Sequence, residues 1–171
     1  ATPTTTRTSA ARTALFFATM LAACGPTEDS ISVGLRSPNP AVREDMVKIA
    51  RNVDSPVVVK ALINVLKDPA PDIRREAIDS LVNIGSTDAV PALVECLKDE
   101  DDRVQRAAVD ALGTLADHRA TKPLVSYLEE KLAQSKVPGS TTTVPLNGIW
   151  ALGNIADGDG LSVLSKLRDN P

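Results

Sequence analysis

The sequence predicts an all-α fold, an α-α superhelix of about four two-helix repeats. Three observations predict it. Apolar residues recur at a 31-residue step, each unit carries two stretches of helical periodicity, and the chain has little aromatic material for a core: two Phe, one Tyr and one Trp in 171 residues. Ala and Leu lead the helix scale whereas strands favour aromatic and β-branched residues, so a core of Leu, Val, Ile and Ala suits stacked helices better than a β-sandwich. With 43% apolar and 24% charged residues the composition is globular. The length suffices for one domain or a short repeat array.

Residues 1–13 are rich in Thr and carry Arg7 and Arg12 but no acid, and an apolar run from Ala14 to Ala23 follows. This is the layout of a secretory signal. The run is shorter than the roughly 20 residues of a permanent membrane helix, so it is expected to be removed. Leu21-Ala22-Ala23-Cys24 resembles the lipobox of bacterial lipoproteins, and the polar Gly25-Pro26-Thr27-Glu28-Asp29 follows as a tether. The resemblance implies a signal peptide over 1–23, a palmitate-bearing lipid on the thiol of Cys24 within a tether of 24–29, and a repeat domain over 30–171. Two or three acyl chains hold a protein stably on a bilayer, each buried CH₂ adding about 0.8 kcal/mol. A tether of about five residues reaches at most roughly 17 Å, which keeps the folded part near the bilayer surface. Gly25, rather than Asp, after the cysteine implies outer-membrane sorting, facing the periplasm.

Residues 29–35 read as a half-unit covering the first complete repeat, because Ile31, Ser32 and Leu35 align with Leu62, Ile63 and Leu66. From there the register holds in many columns. Leu35, Leu66, Leu97 and Leu128 fall 31 residues apart, as do Val42, Ile73 and Val104, then Ala50, Leu81 and Leu112, then Val53, Ile84 and Leu115. Leu62, Leu93 and Leu124 form a further column, and Ile63, Val94 and Val125 another.

In the second unit, residues 71–84 put Ile73, Ala77, Ser80, Leu81 and Ile84 at helical spacing and leave Arg74, Arg75, Glu76 and Asp79 for other faces. This is helix A. Gly85 offers a stop and Ser86-Thr87-Asp88 capping residues, and Ala89 to Leu97 then repeats the pattern as helix B. Lys67-Asp68-Pro69-Ala70-Pro71 and Lys98-Asp99-Glu100-Asp101-Asp102 close units as polar turns whose prolines or acids suit the start of the next helix A. Between the third and fourth units Ala111-Leu112-Gly113 aligns with Ala151-Leu152-Gly153 at a step of 40, an addition of nine residues. Part of it extends the third helix B through Glu129–Gln134, and 137–143 is expected as an exposed loop. The fourth helix B, about 161–167, is short, either an end cap or a truncation.

Asp72-Ile73-Arg74-Arg75-Glu76-Ala77, Arg103-Val104-Gln105-Arg106-Ala107-Ala108 and Ala151-Leu152-Gly153-Asn154-Ile155 resemble HEAT-like repeats of the short type found in phycobilisome lyases. The resemblance spans about residues 30–171. It implies a solenoid whose B helices line a concave side that binds proteins or peptides.

The net charge of −3 becomes −5 without the two arginines of residues 1–23. Nucleic-acid binding needs clustered cations, so that partner is disfavoured. Two cysteines and one histidine make neither a disulfide framework nor a zinc site, and no cofactor is implied. His118 lies beside Asp117 and Arg119, and a Ser-His-Asp or Cys-His constellation could be drawn on it only through long-range geometry; Cys96 reads as a small buried residue, and Tyr127 reads as core with its hydroxyl at the edge. No catalytic or metal residue is expected.

The helix-B positions that point away from the core stripe are Val57, Lys60, Asn64 and Lys67, then Asp88, Pro91, Glu95 and Lys98, then Arg119, Lys122, Ser126 and Glu129. They change identity from unit to unit while the core columns do not, as a shaped binding surface or a solvated face would. The candidate partner-binding residues are Lys60, Asn64, Glu95, Arg119, Lys122, Ser126 and Trp150. Trp150 takes the column of Asp79 and Asp110 and either packs beneath the inserted loop or presents an aromatic anchor. The expected function is a lipid-anchored, non-enzymatic scaffold at the bacterial cell envelope. The alternative, from the same resemblance, is a bilin-lyase-like chromophore-handling protein.

Overall fold

A computed structural model describes residues 27–135 and 146–155 together with Ser165. The described residues contain helices and no strand. The leader, Cys24 and the expected loop at 137–143 lie outside them, as does the fourth helix B apart from Ser165, which is helical. The chain divides into two compact units, residues 1–84 and 85–171.

The first unit holds α1 (Glu28–Gly34), α2 (Pro40–Ala50), α3 (Pro56–Val65) and α4 (Pro71–Ile84). Local chemistry sets the starts. Thr27, Asn39 and Ser55 accept hydrogen bonds from backbone N–H groups in the first turns of α1, α2 and α3, and Pro40, Pro56 and Pro71 each stand first in their helix, where a missing N–H costs nothing. α1 packs on α2 and α3, so the half-unit covers the first repeat, and α4 packs on both α2 and α3. Across α2 and α4, Ser80 Oγ donates to Val47 O at 3.2 Å and Asn83 Nδ2 to Arg51 O at 3.0 Å.

In the second unit a 3₁₀ turn, Thr87–Ala89, leads into α5 (Val90–Cys96), α6 runs Asp102–Leu115, and a second 3₁₀ turn, His118–Ala120, leads into α7 (Thr121–Ser135). α8 is Leu146–Ile155. α5 packs on α6, and α8 packs on α6 and α7. The extension of the third helix B through Gln134 is present as the end of α7.

The register sorts burial. Leu35, Leu66, Leu97 and Leu128 are buried, as are Val42, Ile73 and Val104, Ala50, Leu81 and Leu112, and Leu62, Leu93 and Leu124. The columns of Val53 and of Ile63 are half-buried and flank the core. Each fully buried Leu or Ile contributes roughly 1.5 to 3 kcal/mol.

One expectation fails at Arg74, which is buried although the periodicity placed it outward. Its Nη1 reaches back to Asp68 O at 2.8 Å and Pro69 O at 3.4 Å, so the guanidinium serves the turn below it while the stem is covered. The 31-residue step repeats this. Arg43 Nη1 donates to Ser37 O at 2.9 Å and Gln105 Nε2 to Asp99 O at 2.6 Å, while Ser37, Asp68 and Asp99 each accept from the backbone N–H two residues on. Arg43 adds a bidentate pair to Asp68, Nε to Oδ2 at 2.5 Å and Nη2 to Oδ1 at 3.0 Å.

Helix A ends differently in two units. Gly85 follows α4 at φ 73°, and its register mate Ala116 follows α6 at φ 51°, with its N–H on Leu112 O. A Cβ in the left-handed region costs roughly 1–2 kcal/mol, and glycine gives part of that back through its freer unfolded chain. Ala116→Gly is expected to stabilise the protein by about 0.5–1 kcal/mol, measured as a higher urea midpoint. Gly85→Ala should do the reverse, since its added Cβ meets nothing within 4 Å and the penalty is backbone strain alone.

Candidate partner-binding face

All twelve outward helix-B positions are exposed, Val57, Lys60, Asn64 and Lys67 on or just after α3, and the rest on α5, α7 and the turns around them. Helical geometry explains this. Residues three and four apart share one face, and the opposite face of each B helix carries the buried Leu columns. Of the seven candidate binding residues, Lys60 and Asn64 stand in the first unit and Glu95, Arg119, Lys122 and Ser126 in the second, all exposed. Trp150 is separate. It lies on α8, a helix of the A type, with half its surface exposed.

The charge of candidate Arg119 is engaged locally. Its Nε and Nη2 donate to Asp117 Oδ1 and Oδ2 at 2.9 and 2.7 Å, and Nη2 also donates to Thr87 O at 2.8 Å, joining the two 3₁₀ turns of the second unit. Asp117 Oδ1 accepts from the Arg119 N–H at 2.8 Å as the turn's N-cap. These donors hold the Asp117 carboxyl at about 2, the guanidinium first and the backbone N–H second. Ser86, its register mate, makes no side-chain cap. Lys60 and Lys122, by contrast, form no ion pair among the described residues and project their ammonium groups to solvent.

A depressed carboxyl stabilises the folded state above the unfolded value of about 3.9, and that contribution disappears as pH falls through about 2. The Asp117 carboxyl resonance is therefore expected to titrate near 2 by NMR. In Arg119→Ala the midpoint should move up toward the ordinary Asp value.

Tyr127 is buried on α7, and Lys131 Nζ stands 5.5 Å from its ring centroid. Burial pushes its phenol up, consistent with a core tyrosine. Cys96 is likewise buried. The His118 side chain is exposed in its turn, with Nδ1 3.9 Å from Asp117 Oδ1. Among the described residues no group of three His, Cys, Asp or Glu is placed to hold a metal ion, and no helix is long and apolar enough to cross a membrane.

A family model of HEAT repeats matches residues 28–104 and 59–135. No curated protein matches the chain. Among solved structures, the complex of CpcE and CpcF of phycocyanin lyase from Nostoc sp. PCC7120 contains a chain 28% identical to this one, with a TM-score of 0.68 over 88% of this chain and 62% of that one. The protein thus spans about three fifths of the lyase chain it matches. Two crystal structures of engineered proteins, each 22% identical, share the fold with TM-scores of 0.54 and 0.53; the matches cover 90% and 88% of this chain and 72% and 45% of theirs.

Proposed function

Because this chain belongs to the HEAT-repeat family, we propose that it is a non-enzymatic scaffold that holds another protein or peptide on the outward positions of its B helices. A lipid on Cys24 tethers it at the bacterial cell envelope, with Gly25 favouring the outer membrane and a periplasmic orientation. One observation carries the binding reading: three exposed helix-B columns (Val57, Asp88, Arg119; Lys60, Pro91, Lys122; Asn64, Glu95, Ser126) change at each step and the fourth changes from Lys67 and Lys98 to Glu129, while the buried columns beside them stay apolar. Among the seven candidate residues Lys60 and Lys122 are cations that form no ion pair with the described residues, and Asn64 and Ser126 add neutral hydrogen-bonding groups close to them in sequence. The lipid reading rests on Arg7, Arg12, the apolar run and Leu21-Ala22-Ala23-Cys24.

Cross-linking from intact membranes followed by mass spectrometry tests the binding. A defined protein should be recovered with the wild type and lost with Lys60→Glu/Lys122→Glu, and equal recovery from both would reject these positions. Radiolabelled palmitate should enter the wild type and not Cys24→Ser.

A second reading follows from the lyase neighbour at 28% identity, namely handling of a bilin chromophore. A saturable shift of the bilin absorbance on mixing would favour it over the scaffold.

A further inference from the structure

Asn147 stands directly before Gly148, and no other asparagine of the chain precedes a glycine; the remaining six precede Val, Ile or Pro. The pairing has a chemical consequence. When glycine follows, nothing bulky keeps the next backbone nitrogen from the Asn side-chain carbon, whereas a β-branched residue shields that nitrogen and proline has no N–H to lose. Packing holds the glycine in place. Gly148 is buried, and a β-carbon on it would stand 2.6 Å from Cδ2 of Leu128, itself fully buried on α7.

Asn147 is the second residue of α8, within the first turn, where backbone N–H groups have no acceptor in their own helix and the ends fray. The Gly148 N–H belongs to that turn. The Asn147 side chain is half-buried and tied to α6, its Nδ2 donating to Asp110 Oδ1 at 3.0 Å and to Arg106 O at 3.4 Å. Both bonds depend on the amide hydrogens.

We propose that Asn147 is a site of spontaneous covalent modification, deamidating through Gly148 and so releasing the start of α8 from α6. With the first turn open, the Gly148 nitrogen bonds to Asn147 Cγ, the Cγ–Nδ2 bond breaks, and Nδ2 leaves as ammonia with the proton that the Gly148 nitrogen gives up. The five-membered imide then adds water. Breaking its bond from nitrogen to Cγ gives Asp at 147, and breaking the bond from nitrogen to the backbone carbonyl carbon gives isoaspartate. Either product undoes the contact. An Asp places a carboxylate where Asp110 had a donor, and two carboxylates at that distance cannot both stay charged and remain together. The helix dipole favours an acid at this end, but it is served equally by a carboxylate turned to solvent, away from α6. Isoaspartate adds a carbon to the backbone and breaks the i→i−4 register of the first turn. The tie to Asp110 opposes the reaction, because it holds the amide while the turn stays helical, so conversion in the folded chain is slow.

Peptide mass spectrometry on the full chain, kept for days in mildly alkaline buffer, tests this. The peptide holding Asn147 should gain about one dalton and separate into Asp and isoaspartyl forms, while those holding Asn64, Asn83 and Asn154 stay unchanged. Asp110→Ala should speed the conversion several-fold, Asp110→Asn, which keeps an oxygen for Nδ2, should not, and Asn147→Gln should abolish it. No conversion at 147, or an equal rate in Asp110→Ala, would overturn the proposal. The release has its own readout. Asn147→Asp should melt several degrees below the wild type, and adding Asp110→Asn should return most of the loss, because an amide then faces the new carboxylate. An unchanged melting temperature in Asn147→Asp, or a loss that Asp110→Asn does not return, would overturn it.

Discussion

Replacing Asp68 by Ala is expected to destabilise the first unit by about 3 kcal/mol, within the range for breaking a buried ion pair. The carboxylate does two things at once. It accepts both parallel bonds of the Arg43 guanidinium and the Ala70 N–H at 2.9 Å, while the backbone carbonyl of the same residue accepts from Arg74. Burial pushes the Asp68 carboxyl up, but the Arg43 hydrogen bond and the Ala70 N–H outweigh it and keep it below the usual carboxylate range. Removing the carboxylate leaves a largely covered Arg43 with Ser37 O and Pro38 O as its remaining acceptors. Asp68→Asn should cost less, because an amide oxygen can still cap Ala70. Urea unfolding of the two variants checks both the size and the order.

Gly113→Ala is expected to cost about 1–3 kcal/mol, the overpacking range, even though Ala is the better helix former. A Cβ at Gly113 would stand 2.6 Å from Ala151 Cβ and 2.7 Å from Ala151 Cα, so a backbone atom of α8 has to move rather than the tip of a side chain. The strain falls on the α6–α8 contact that also holds Asn147 and Asn154. Gly153→Ala on α8 is the control. Its added Cβ meets nothing within 4 Å, so the same substitution there should be neutral or slightly stabilising, as thermal unfolding will show.

These two sites mark what was and was not legible in the sequence. The apolar columns gave the helix pairs directly, and helix A of the second unit runs Pro71–Ile84 as its proline start and Gly85 stop imply. The exposed helix-B positions were legible for the same reason, because a 3.6-residue period fixes both faces at once. The polar ladder was present in the same 31-residue step, as Ser37, Asp68 and Asp99 and as Arg43, Arg74 and Gln105, but a search for apolar repetition passes over it. Arg74 was misplaced because periodicity assigns a direction to the Cβ and says nothing of where a long side chain turns. The approach of Gly113 to Ala151 depends on helix-to-helix distance across the nine-residue addition, which spacing does not encode. The column that Trp150 shares with Asp79 and Asp110 already places it on an A-type helix, and α8 packs on α6 and α7 as that register implies.

Hydrogen exchange on the chain with its captured protein partner, against the chain alone, tests most directly the claim that outward B-helix positions hold the partner. The account predicts slower exchange in peptides covering 57–67 and 119–129, with no change across the A helices α2, α4 and α6. Protection confined to those A helices, with none on α3 or α7, would contradict it.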